Sequence, residues 1–208
     1  MRPITFFAAL CLIAVPAVAQ ADAEAPDPAK DPQVAKLLDA KATLKWNYDR
    51  PNGRYGHAEA LVDAPADRLA KVAQDFGHYK ELHRKFATAR VVAKEGDRTD
   101  VYMRYPVQIG MLTVEFHEVM RFAPLRVSGN AQILEGSGVK GDMKQGHTVI
   151  TIKPVDAKHS LITVDILLVP RIPAPQSLVD EELRDGAGDF VNGLKDKAQG
   201  HGGPVTAL

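Results

Sequence analysis

The chain has 208 residues, with 26 Lys and Arg against 26 Asp and Glu, 7 His and a single Cys. Balanced charge gives no long-range attraction to nucleic acid or anionic lipid, and Cys11 alone leaves no disulfide framework and no cysteine-ligated zinc. Beyond its first stretch, the chain is long enough for one domain with a sizeable core.

Arg2 precedes an apolar run from Ile4 to Val15, and small residues follow at Ala17-Val18-Ala19 or Ala19-Gln20-Ala21. That order of charge, apolar run and small residues is read as a secretory signal over residues 1–21, too short to span a membrane. An uncleaved N-terminal anchor is the alternative. Leu10 stands before Cys11 where a lipoprotein signal needs a small residue, so the only thiol is expected to leave with the signal. The expected location is periplasmic or secreted. Prolines at 26, 28 and 32 mark residues 21–32 as an exposed spacer, and the unit 22–53 is read as linker plus a short helix, Gln33 to Ala42.

Trp46 and Tyr48 precede a turn at Arg50-Pro51-Asn52-Gly53, with Trp46 read as a packing anchor. A first strand is expected from Arg54 to Val62, stopped by Asp63-Ala64-Pro65. Asp67 to Phe76 reads as a helix with Leu69, Val72, Ala73 and Phe76 on one side, and Tyr79 to Leu82 as a second short turn. The period then changes to two. Strands are expected at Phe86–Lys94, Arg98–Val107, Leu112–Phe122, Arg126–Glu135, His147–Val155 and His159–Val169, six in series with short links that favour an antiparallel meander. The glycine-rich stretch Gly136 to Gly146 is expected to be a flexible connection, able to act as a lid. It lacks the Gly-Lys-Ser/Thr ending and the following helix of a phosphate loop. No serine lies in a Gly-x-Ser-x-Gly elbow.

Pro170 and Pro173 end the last strand and aim the chain, and Pro175 suits the first turn of a long helix to about Gln199. Leu183, Ala187, Phe190, Val191, Leu194 and Ala198 recur at helical spacing as one thin apolar stripe, beside Gly186, Gly188 and Gly193. Such a helix covers a sheet without filling the space beneath it, which leaves room for a ligand.

The order of elements resembles the START-like superfamily, which includes Bet v 1 relatives, bacterial polyketide cyclases and coenzyme Q-binding proteins. Val62-Asp63-Ala64-Pro65-Ala66-Asp67, Asp75-Phe76-Gly77-His78-Tyr79 and Ile172-Pro173 carry the resemblance, which covers about Arg54 to Gln199. It implies an α+β helix-grip fold over residues 54–199, in which a curved antiparallel sheet of about seven strands wraps the C-terminal helix around an apolar cavity. Residues 200–208 form a tail.

Alternation along the strands separates inward from outward side chains. Val101, Met103, Tyr105, Val107 and Ile109 share one face, opposite Tyr102, Arg104 and Pro106. Ile162, Val164, Ile166 and Leu168 form another apolar row. On the strand from Leu112, the apolar row Val114, Phe116, Met120 and Phe122 is interrupted by Glu118. A carboxylate among apolar groups either finds a partner or has its pKa raised. Glu118 is therefore either a polar anchor in the cavity wall, or turned outward by a bulge, or paired with Arg104 or Arg121. The expected ligand-binding residues are Phe76, Tyr79, Val101, Met103, Tyr105, Val107, Phe116, Glu118, Met120, Ile162, Val164, Ile166, Leu183, Ala187, Phe190 and Leu194. No metal or other cofactor is expected: the histidines at 57, 78, 83, 117, 147, 159 and 201 show no ligand spacing and read as surface or hydrogen-bonded structural groups.

Three functions compete. The first is binding or transfer of an apolar small molecule such as a lipid, isoprenoid, quinone or sterol-like compound, without nucleic acid and with transient membrane or envelope-protein contact. It predicts an enclosed space of several hundred Å³. The second is a polyketide cyclase or dehydratase-like enzyme drawing on Glu118, Tyr105 and Arg104. The third is an envelope protein-interaction module, which predicts a filled core. Oligomeric state is left open.

Overall fold

The computed structural model describes residues 32–40 and 42–201. The expected signal sequence, nearly all of the expected spacer and the end of the tail lie outside the described residues. Helix α1 (Pro32–Ala40) is followed by β1 (Leu44–Arg50), β2 (Gly53–Val62), α2 (Ala66–Gln74), a 3-10 turn (Phe76–His78) and α3 (Tyr79–Leu82). The rest is β3 (Thr88–Glu95), β4 (Arg98–Ile109), β5 (Leu112–Phe122), β6 (Arg126–Ser128), β7 (Ala131–Gly141), β8 (Met143–Pro154), β9 (Ser160–Pro170) and α4 (Gln176–Gln199).

All nine strands belong to one antiparallel sheet, in the order β1-β2-β9-β8-β7-β5-β4-β3, with β6 paired to β7. The chain crosses from β2 to the far edge at β3 through α2 and α3, then returns strand by strand until β9 docks on β2. Short links enforce the return, because antiparallel neighbours need only a turn between them. The β4–β5 hairpin turns on two residues, Gly110 and Met111, with Ile109 facing Leu112, and Gly110 takes φ 61°.

Three expectations on the strands are corrected. Leu44–Arg50 is an edge strand pairing residue for residue with β2, Tyr48 opposite Tyr55; its half-exposed burial pattern hid it from a search for apolar alternation. Arg126–Glu135 is two strands, because Gly129 at φ 60° and Asn130 turn the chain between Ser128 and Ala131. Gly136–Gly146 is no flexible lid. It belongs to β7 and β8, which pair through Ser137 and His147, and Asp142 between them is fixed by its amide to the His117 carbonyl and by its carboxylate to the His117 amide, both at 2.8 Å. Glycine is depleted in strands because it brings no side chain to pack, which is why composition pointed to a loop.

Helix α4 crosses the concave face. A Cβ placed on Gly56 would stand 2.1 Å from the Leu183 carbonyl oxygen, and one on Gly193 2.0 Å from that of Leu82. These two glycines let backbone approach backbone, seating α4 against β2 and α3. Side chains opposite to Gly56 in the strand alternation, such as Glu59, point to the outer face, where α1 lies on β2 with Lys36 Nζ 3.5 Å from Glu59. The main core between α4 and the sheet holds Ala58, Val62, Leu69, Val101, Ile150, Ile162 and Leu194, all without solvent exposure. Helix α4 ends at Gly200, φ 85°, whose amide donates to Lys197 while that of His201 donates to Asp196.

Lys197 is only 3% exposed, and its ammonium lies 3.0 Å from Glu81 and 3.7 Å from Asp75. It ties the end of α4 to the α2–α3 turn. Asp75 is itself largely buried, and removal of the cation leaves its Oδ2 without an ionic neighbour while His78 still holds Oδ1 at 2.7 Å, so Lys197→Met is expected to cost about 2 kcal/mol in urea unfolding. The same substitution made together with Asp75→Asn is expected to recover part of that loss.

Candidate functional site

Between the sheet and the first half of α4 lies a partly open cavity of about 130 Å³. Four strands and the two helical segments build its wall: Met103, Tyr105, Val107 and Ile109 of β4, Phe116, Glu118, Met120 and Phe122 of β5, Met143 and Thr148 of β8, and Ile166, Leu168 and Pro170 of β9. Tyr79, His83 and Phe86 close one side, and Leu178, Leu183, Gly186 and Phe190 of α4 another. The volume falls short of the several hundred Å³ expected, because aromatic rings take up space: Tyr105 stacks on Phe116 at 5.9 Å, and Phe190 meets both Tyr79 and Phe86. A cavity of about 150 Å³ holds a benzene-sized molecule. A single ring or a short aliphatic segment fits as the walls stand, and a longer tail must leave through the open end.

Of the sixteen residues expected at a ligand site, ten line this space: Tyr79, Met103, Tyr105, Val107, Phe116, Glu118, Met120, Ile166, Leu183 and Phe190. The other six do not. Val101, Ile162, Val164, Ala187 and Leu194 sit in the closed core, and Phe76 packs on Tyr79 and Phe122 at 5.2 and 4.8 Å. Their faces are those read from alternation and helical spacing, but at Gly193 α4 closes onto the Leu82 carbonyl, and that end of the molecule is filled. His83 lies in a connection without periodicity; Phe86, expected to open a strand over Phe86–Lys94, precedes β3, which starts at Thr88; and the glycines around Met143 read as a loop where β8 runs.

Glu118 points inward, with 3% of its surface exposed. Neither expected partner reaches it: Arg104 pairs with Glu115 at 3.1 Å and Arg121 with Asp100 at 2.8 Å. The irregularity in the β5–β7 pairing lies one residue further on, at Val119 and Met120, where β7 carries the extra residue Val139, and does not turn Glu118 out. Burial raises its pKa to about 7, Asp142 adding to the effect, while the Met143 amide and Arg171 oppose it. Tyr105 is held far above the ordinary phenol range, chiefly by burial and next by the charge of Glu118. His83 stacks on Phe86 at 4.7 Å, and burial pulls its pKa down to about 4. Its Nδ1 accepts the Lys85 amide hydrogen at 3.1 Å, so the neutral ring carries its proton on Nε2.

The other described histidines up to 159 are engaged elsewhere: His57 with Asp165, His78 with Asp75 and His159 with Asp156, each at 2.7 Å, His117 with Tyr102 at 2.6 Å, and His147 with Glu135 at 2.8 Å. Among the described residues no three His, Cys, Asp or Glu side chains gather as a metal ion requires.

No family model matches the sequence, and no curated protein matches it. Solved structures do share its shape. A STAR-related lipid transfer protein fragment from Xanthomonas axonopodis superposes with a TM-score of 0.65 at 16% identity, over 77% of this chain and 96% of that one. Human StAR-related lipid transfer protein 5 gives 0.61 at 9% identity, over 81% and 93%, and a START superfamily protein from Mycobacterium smegmatis 0.55 at 17%, over 71% and 99%. At these identities the likeness establishes architecture: the chain has the α+β helix-grip fold of START-like proteins.

Proposed function

We propose that this protein binds and transfers an apolar small molecule, of the lipid, isoprenoid, quinone or sterol-like kind, in a periplasmic or extracellular compartment. The observation that carries the reading is the partly open cavity of about 130 Å³ walled almost wholly by apolar side chains. Each methylene moved from water into such a space contributes about 0.8 kcal/mol, which is the service a water-insoluble compound needs in an aqueous compartment. Three structures of the same shape are named as lipid transfer or START proteins. Loading from a membrane is part of the proposal. Ile109 lines the cavity, and the hairpin tip that follows it exposes Met111 by 97% and Leu112 by 71%, an apolar point next to the cavity wall.

The cyclase or dehydratase reading draws on one observation, the inward carboxyl of Glu118 beside Tyr105. Arg104 takes no part in it, being paired with Glu115 away from the cavity.

Native mass spectrometry of protein recovered gently from the periplasm of an expressing cell is expected to find an added apolar mass. Gly186 lines the cavity, and a Cβ there meets nothing closer than His83 Nε2 at 3.5 Å, so Gly186→Leu is expected to fold and to lose that mass. Wild-type protein that stays empty after exposure to lipid extracts rules the reading out, as does a cytoplasmic, uncleaved chain for the exported part of it.

A further inference from the structure

Four buried side-chain atoms among the described residues have no hydrogen-bond partner: His57 Nε2, Asp75 Oδ2, Tyr105 Oη and Glu118 Oε2. The first two have ionic neighbours, Glu59 at 3.7 Å and Lys197 at 3.7 Å. Glu118 forms no ion pair with a described residue, and Tyr105 and Glu118 both belong to the cavity wall. Leaving a buried polar group unsatisfied is costly, so a pair of them facing one apolar space is explained by a molecule that completes them.

The position of the Glu118 carboxylate is built into the backbone. A Cβ on Gly138 would lie 2.2 Å from its Oε1 and one on Gly146 2.9 Å, while one on Gly141 would lie 2.7 Å from Oε2. Three glycines thus clear the room the carboxylate occupies, and the Met143 amide donates a hydrogen bond to it. This accounts for a glycine-rich pair of strands at a place where glycine weakens a sheet.

Resting on the apolar-ligand reading above, we propose that Tyr105 and Glu118 form a head-group site for an uncharged hydroxyl, the Tyr105 hydroxyl donating to the ligand oxygen and the ligand hydroxyl donating to Glu118 Oε2. The preferred ligand is an amphiphile with one alcohol or phenol group on an apolar body. A hydrocarbon leaves both groups unsatisfied, and an ether can accept from Tyr105 but has nothing to donate. Anionic heads are disfavoured by the surrounding charge. Asp142 and Glu182 both act on this pair, Arg171 is the cation that acts on Glu118, and Lys85 at the rim is taken up by Glu182 at 2.8 Å.

The test is displacement of the neutral apolar dye N-phenyl-1-naphthylamine by a matched series: 1-octanol, heptyl methyl ether, octanoate and octylamine. 1-Octanol is expected to bind about tenfold tighter than the ether and the carboxylate. Tyr105→Phe and Glu118→Leu are each expected to shrink the alcohol-to-ether ratio to within about twofold while the ether itself binds no worse. Glu118→Gln, close in shape, guards against a folding failure of Glu118→Leu and is expected to keep a reduced preference. Equal affinity for alcohol and ether in the wild type, a preference that survives both Tyr105→Phe and Glu118→Leu, or octylamine binding best would each overturn the hydroxyl site while leaving the apolar cavity intact. If the dye proves too large to enter, the same series is read directly by calorimetry; failure of both the dye and 1-octanol to bind would instead remove the apolar-ligand reading, and this inference with it.

Discussion

Gly56→Ala and Gly193→Ala are each expected to cost more than about 3 kcal/mol, while Gly186→Ala, in the same helix as Gly193, is expected to stabilise by about 0.5 to 1 kcal/mol. The opposite signs follow from what a new methyl group meets. At Gly56 and Gly193 it meets backbone carbonyls at 2.1 and 2.0 Å, well inside van der Waals contact, and neither a strand nor a helix turn can step aside alone. Relief requires α4 to lift from the sheet, which uncovers the core around Ala58 and Leu194. At Gly186 the nearest atom is His83 Nε2 at 3.5 Å, so the methyl group fits and only the helix-propensity gain remains. Urea unfolding of the three variants, read as midpoints at constant slope, decides the matter. Equal effects at Gly186 and Gly193 would mean that close approach of α4 does not set the architecture.

The same approach explains how far the sequence could be read. Periodicity of two identified which face of β4, β5 and β9 turns inward, and Met103, Phe116 and Ile166 do line the cavity. It carried no information on where along those strands the cavity stops. That boundary depends on the height of α4 above the sheet, fixed by two glycines whose partners, Leu183 and Leu82, lie far away in sequence. Val101, Ile162 and Leu194 therefore share their neighbours' orientation but sit in solid core. Glycine content points the opposite way at residues 136–146: Gly138 and Gly146 leave room for the Glu118 carboxylate, a side chain on a different strand, and Gly141 for the His117 carbonyl. The parity of Glu118 was legible. Its lack of a cation became clear only with the register: Met103 stands opposite Glu118, so Arg104 falls on the other face, as does Arg121.

Replacement of Glu118 by glutamine is expected to leave stability unchanged at pH 4 and to raise it by about 3 kcal/mol at pH 8. Folded Glu118 titrates near 7, against an ordinary value of 4.5. The folded state therefore binds this proton more tightly, and the stability it brings is complete below about 4.5 and lost as pH rises through 7. His83 acts with the reverse sign. Its folded pKa of about 4 lies below the ordinary 6.5, so its contribution is present above about 6.5 and lost as pH falls through 4. Between about 4.5 and 6.5 the two slopes oppose each other at similar steepness, and in the wild type they hide one another. Glu118→Gln removes one of them. Its stability is expected to fall by about 1.4 kcal/mol per pH unit from 6.5 down to 4.5, relative to a wild type nearly flat in these two contributions. The difference between the two proteins at each pH cancels every other titrating group they share. Urea midpoints from pH 4 to 8 give that difference directly, and a constant offset across the range would show that Glu118 titrates as an ordinary surface carboxylate and that the cavity wall around it is wet.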